Sequence, residues 1–156
     1  MKILIAVDGS PFSEATVTEV ARRPWPAGSE VMIVTAFDAP VAASPDLWTL
    51  PSDYFEQVER SVQLRAESVM QTAVARLKQA LGPDLPVTGR IVTGPPKRVI
   101  LDEADKWKAD LIMVGSHGYP VWERLLLGSV SQAVVAQAKC SVEVVRRLSA
   151  GNPAAN

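Results

Sequence analysis

A chain of 156 residues, 47% of them apolar, can bury one substantial core and is too apolar for intrinsic disorder. A formal net charge of −1 leaves no basic footprint for nucleic acid, and a single cysteine, Cys140, excludes an intrachain disulfide and fits a reducing compartment. No apolar run approaches the roughly 18 residues of a membrane span. The opening run over 3–7 stops after five residues at Asp8, so no signal peptide or membrane anchor is expected and the expected location is cytoplasmic.

In chain order, residues 3–7 predict a first strand. Ser10-Pro11 then reads as a helix cap followed by proline at the first helical position, and the helix should run through Arg23 until Pro24 and Pro26 stop it. Residues 30–37 predict a second strand whose core, Val31-Met32-Ile33-Val34, is apolar without alternation, as for a strand buried on both faces. Residues 38–52, about fifteen of them, form a proline- and alanine-rich loop, long enough to mark either a functional segment or a tolerated surface insertion. Asp53 with Glu56 resembles a capping pair for a long helix ending at Leu81 and Gly82-Pro83. One face of that helix carries Phe55, Val58, Val62, Ala66, Val69, Met70, Ala73, Leu77, Ala80 and Leu81 at helical spacing.

A third strand is predicted over 86–92, a turn at Gly94-Pro95-Pro96, a helix over 96–107, a fourth strand over 110–114, a helix over 130–138 and a fifth strand over 141–145. Strands alternating with helices imply an α/β fold: a doubly wound, five-stranded parallel sheet with helices on both faces. In the order 3-2-1-4-5 the winding reverses beside the first strand, and ligands of such sheets bind beyond the strands' carboxyl ends at that reversal. The ends of the first and fourth strands then flank one crevice. One domain is expected over 1–147, with a frayed tail over 148–156.

The fourth strand runs into Val114-Gly115-Ser116-His117-Gly118, and nine residues separate Gly118 from Gly128-Ser129-Val130. Glycines at a strand end let the backbone approach a ligand closely, and a helix start presents free N–H groups to an anion. The pattern predicts a phosphate cradle beside Asp8. Ser129 is expected to add a hydroxyl and to cap the last helix. A branched residue at Gly118 or Gly128 should fill the space of the phosphates and clash with a positive φ. Asp8 also suits an ordinary Asp-Gly-Ser turn. His117 has no nucleophile or acid paired with it by motif, so it reads as a loop histidine near the phosphates. Cys140 reads as structural, and Trp25, Trp48, Trp107 and Trp122 as packing residues, although Trp122 lies within the cradle loop.

From 2 to 146 the chain resembles the universal stress protein family. The resemblance rests on Ile3-Leu4-Ile5-Ala6-Val7-Asp8-Gly9-Ser10, on Gly94-Pro95-Pro96, on Asp110-Leu111-Ile112-Met113-Val114-Gly115-Ser116-His117-Gly118 with Leu127-Gly128-Ser129-Val130, and on Cys140-Ser141-Val142-Glu143-Val144-Val145. The glycine-serine spacing is similar to that of the ATP-binding branch. The resemblance implies that the backbone at Val114, Gly115, Gly118, Gly128, Ser129 and Val130 holds ribose and phosphates. It also implies that Asp8 lies near them and that the backbone of Ala36 recognises adenine. Where the family often has a basic residue after the second glycine, this chain has Tyr119-Pro120. Charge balance then falls to Arg124, Lys97 or a metal ion such as Mg²⁺, and ADP or AMP stand beside ATP as ligands.

The function implied is a nucleotide-binding stress or signalling protein with little or no turnover. No P-loop lysine follows the glycines. The alternatives are a slow Mg-dependent ATPase using Asp8 and a dimeric interaction module that ignores nucleotide. A homodimer is expected through Ser141–Val145, an apolar strand placed at the sheet edge. No membrane or nucleic-acid partner is expected.

Overall fold

The computed structural model describes residues 1–38, 52–118 and 127–146, the side chains of 52–55 excepted. The expectations for the loop over 39–51, for Trp48, Tyr119-Pro120, Trp122 and Arg124, and for the tail over 148–156 lie outside the described residues.

The elements are β1 (Lys2–Ala6), α1 (Pro11–Arg22), β2 (Glu30–Phe37), α2 (Ser52–Leu81), β3 (Val87–Thr93), α3 (Pro96–Trp107), β4 (Leu111–Gly115), α4 (Ser129–Gln137) and β5 (Ser141–Val145). They form one sheet in the order β3-β2-β1-β4-β5, and every neighbouring pair is parallel. This is the doubly wound arrangement expected from the alternation of strands and helices.

Successive strand side chains point to opposite faces, so the odd and even positions build two cores. Ile3, Ile5, Val31, Ile33, Leu111 and Met113 pack against α1 and α2 through Val17, Val20, Met70, Ala73 and Leu77. Leu4, Met32, Val34, Ile112 and Val114 pack against α3 and α4 through Val99, Ile100, Ala104 and Val134. Both faces of the central strands are therefore buried, which explains their unbroken apolar runs.

Several boundaries differ from the expectation by one residue. β1, β3 and β4 are set by ladder pairing, whereas apolar composition runs slightly past or short of it. Val7 is buried and its N–H donates to the Val34 carbonyl, yet it lies beyond the last paired residue of β1. α2 begins at Ser52, and the capping pair expected of Asp53 with Glu56 lies outside the described side chains. Along the predicted apolar face of α2, Ala66, Met70, Ala73 and Leu77 are buried. Val58, Val62, Val69 and Leu81 are half-buried, and Ala80 is exposed. Gly82 ends the helix at φ +74°, a value that favours glycine.

The helix cap at Ser10 is as predicted. Its Oγ accepts the Ser13 N–H at 3.2 Å, with Pro11 at the first position of α1. Trp25 and Trp107 are read from the sequence as packing residues. Both are half-buried, Trp25 donating its indole N–H to the Val20 carbonyl at 2.9 Å.

On the α2 side of β2, Thr35 is 4% exposed and its hydroxyl has no hydrogen-bond partner. A buried hydroxyl left unpaired is destabilising, and valine keeps the shape without the polar atom. Thr35→Val should therefore raise stability by about 1 kcal/mol. A melting temperature equal to or below that of the native chain would contradict this.

Candidate functional site

The chain leaves β1 through Asp8-Gly9-Ser10. Asp8 Oδ1 accepts the Ser10 N–H at 2.9 Å, which closes an Asx turn. Gly9 sits at φ +76°, and a Cβ there would lie 2.8 Å from a Val69 methyl. The turn reading of Asp8 is therefore correct, and its second carboxylate oxygen is directed elsewhere. Oδ2 stands 2.8 Å from the position a Gly118 Cβ would take. The carboxylate thus reaches across from the end of β1 to the loop after β4. Pairing of β1 with β4 sets that proximity.

Asp8, Ala36, Val114, Gly115, Gly118, Gly128, Ser129 and Val130 all line one cavity at the carboxyl ends of β1, β2 and β4. Its volume is about 360 Å³, within the range of small-molecule sites. The floor is apolar: Ala6, Val34, Ala36 and Val114 from the sheet, with Pro96 and Ile100 from α3. The opposite wall is backbone from Gly118 and the start of α4.

α4 begins with Gly128 as its cap residue at φ −71°, with no side-chain cap bond. Ser129 is the first helical residue, so the expected capping role of its hydroxyl is corrected: a residue inside the first turn is past the position from which a side chain caps. The expected positive φ is also absent at Gly118 and Gly128. These glycines are needed for space. A Cβ on Gly128 would come within 3.2 Å of the His117 Cα and 3.3 Å of the Ser116 carbonyl oxygen. Gly115 answers a different demand. It faces α1, where a Cβ would meet Phe12 backbone atoms at 2.8 and 3.0 Å.

Charge at the cavity is lopsided. Among the described lining residues Asp8 is the one charged side chain. The positive component comes from the first backbone N–H groups of α4, which have no intrahelical partner. Lys97 is exposed on α3 beside Pro96 and is not among the lining residues. No group of three or more His, Cys, Asp or Glu side chains among the described residues could hold a metal ion.

His117 lines the cavity with its ring 5.1 Å from that of Phe12 and its Nδ1 3.2 Å from Ser116 Oγ. Ser116 is buried, so this pair offers no accessible nucleophile. Cys140 is half-buried between α4 and β5. Burial first, then the Asp105 and Asp110 carboxylates, push its thiol pKa up, the opposite of a reactive cysteine.

Sequence reasoning missed Ala6, Val34, Pro96, Ile100 and Ser131 as lining residues. Pro96 had a readable signal, because Gly94-Pro95-Pro96 ends β3 at the same edge of the sheet. Ser131 had a weaker one, a serine inside the first turn of a helix whose cap is glycine.

The sequence profile of the universal stress protein family matches residues 1–146. The universal stress protein in the QAH/OAS sulfhydrylase 3′ region of Thermus aquaticus is 35% identical over 149 residues, covering 92% of this chain and 97% of that protein. A universal stress protein of Mycobacterium tuberculosis is 33% identical over 150 residues, and there the match spans 93% of this chain but 45% of the relative. Among solved structures, the universal stress protein UspA from Lactobacillus plantarum superposes with a TM-score of 0.75 at 25% identity over 94% of this chain and 97% of that one. An Arabidopsis thaliana family protein with AMP bound has a TM-score of 0.67 at 19% identity, over 95% and 92% of the two chains. Two further folds of this kind are a universal stress protein in complex with cAMP (TM-score 0.58, 24% identity, 93% and 95% covered) and an Archaeoglobus fulgidus protein with dAMP (TM-score 0.61, 20% identity, 93% and 97% covered). Some proteins of this fold therefore bind adenine nucleotides. With its profile match over nearly the whole length, this chain belongs to the universal stress protein family.

Proposed function

We propose that this chain is an adenine-nucleotide-binding stress or signalling protein with little or no turnover. The observation that carries the reading is the division of one cavity into two chemistries. An apolar floor of Ala6, Val34, Ala36, Pro96 and Ile100 suits a purine, and the glycine loop with the α4 start suits phosphate. The AMP, cAMP and dAMP complexes of related folds support the same ligand class. ATP, with Mg²⁺ balancing its charge beside Asp8, is the proposed physiological ligand, and the proposed location is the cytoplasm. Calorimetry with ATP, ADP and AMP should give micromolar or tighter dissociation constants. No heat and no thermal shift at millimolar nucleotide would rule the reading out.

A second reading, slow ATP hydrolysis, rests on Asp8 being the acid among the described lining residues. Phosphate release above background that disappears in Asp8→Asn would favour it.

A homodimer through β5 completes the proposal. β5 is an edge strand, and Val142 and Val144 remain half-exposed along it. An edge like this offers a second strand unpaired N–H and C=O groups, and a two-fold axis makes such a contact self-complementary. Sedimentation should give a dimer for the native chain and a monomer for Val144→Pro, which removes a ladder donor. A native chain that stays monomeric at high micromolar concentration contradicts the dimer.

A further inference from the structure

Ser131 makes contacts that nucleotide binding alone does not require of it. It is 3% exposed in the first turn of α4. Its Oγ lies 3.0 Å from the Ser116 carbonyl oxygen and 2.9 Å from the Gly128 carbonyl oxygen. The Gly128 N–H donates to the same Ser116 carbonyl at 2.7 Å. Ser116 in turn is tied to the sheet, its N–H donating to Val145 at 2.8 Å. The strand end and the helix start are therefore joined at the base of the loop that separates them.

The direction of the bonds matters. In an ordinary capped helix, a serine or aspartate at the cap residue accepts the N–H groups of the first turn. Those same N–H groups are the donors an anion would use. Here the cap residue is Gly128, which has no side chain to take them. The helix start is held instead by a hydroxyl donating backwards, its one proton shared between the Ser116 and Gly128 carbonyls.

We propose that Ser131 is a positioning residue for the phosphate half of the site: it anchors the start of α4 without occupying the N–H groups that receive the anion. The proposal rests on the nucleotide-binding reading above. It separates two halves of one ligand. The purine floor is built from β1, β2 and α3, whereas the Ser131 hydrogen bonds go to the end of β4 and the start of α4. Loss of the hydroxyl should let the α4 start drift from the strand end and should weaken contacts to phosphate alone.

The test compares AMP with adenosine on the native chain, Ser131→Ala and Ser131→Thr. Ser131→Ala should bind AMP about tenfold more weakly than the native chain and adenosine equally well. Ser131→Thr keeps the hydroxyl and should recover most of the AMP affinity. Amide exchange at Gly128 should quicken in Ser131→Ala. Equal loss for both ligands would mean a general structural role and overturn the proposal, as would an AMP affinity within twofold of native. A native chain that binds neither ligand would instead overturn the nucleotide reading, and the proposal with it.

Discussion

Gly118→Val should abolish nucleotide binding while leaving the fold intact. A Cβ at this position would lie 2.8 Å from Asp8 Oδ2. The encounter is between the new side chain and the tip of an exposed carboxylate, so the core has no reason to move. The Asp8 side chain yields, leaving its bond to the Ser10 N–H, and the valine methyls occupy the space between the β1 turn and the glycine loop. That space belongs to the cavity lined by both residues. Affinity for AMP or ATP should fall at least a hundredfold, roughly 2.8 kcal/mol. Calorimetry measures the loss, and circular dichroism with thermal melting checks the fold. Native affinity in a folded variant would show that ligand passes elsewhere.

Gly115→Ala should act in the opposite way, through stability. The added methyl would stand 2.8 Å from the Phe12 carbonyl carbon, 2.9 Å from its Cβ and 3.0 Å from its carbonyl oxygen. Two of these are backbone atoms in the first turn of α1, which cannot swing aside as a side-chain tip can. Either α1 shifts off the sheet or the end of β4 distorts. Overpacking of a rigid site costs about 3 kcal/mol or more at its upper end. For a domain of this size that corresponds to a fall of about 6–12 °C in melting temperature. A thermal or denaturant melt matching the native chain would refute the close packing. The two glycines sit three positions apart and look interchangeable by sequence. One leaves a cavity open and the other leaves room for a helix.

That contrast marks how far the sequence could be read. The parallel α/β class followed from alternation of elements, and β2 and β5 fell where their apolar runs predicted. Asp8 and the residues of the glycine loop and α4 start were legible because they cluster in short motifs at strand ends, whereas Ala36 entered only through the family resemblance. Ile100 and Val34 were not, because no local pattern links them. They meet only through the sheet order and the packing of α3. The cap at Ser129 was misread for a similar reason. Composition marks a helix start to within a residue, and capping chemistry depends on which residue it is.

Glu143 gives the edge strand an unusual character. An inward-pointing charge on an edge ordinarily repels a neighbouring strand, because pairing would bury it. Arg23 grips both oxygens of this carboxylate, at 2.7 and 2.5 Å, and its remaining Nε–H goes to Glu19 at 2.8 Å. The arginine lies in turn over Trp25, 6.0 Å from the ring centroid. The guard on β5 is therefore neutralised within its own chain. Removing Arg23 would rearm it: the open side of the sheet would then carry a carboxylate stripped of its bidentate partner.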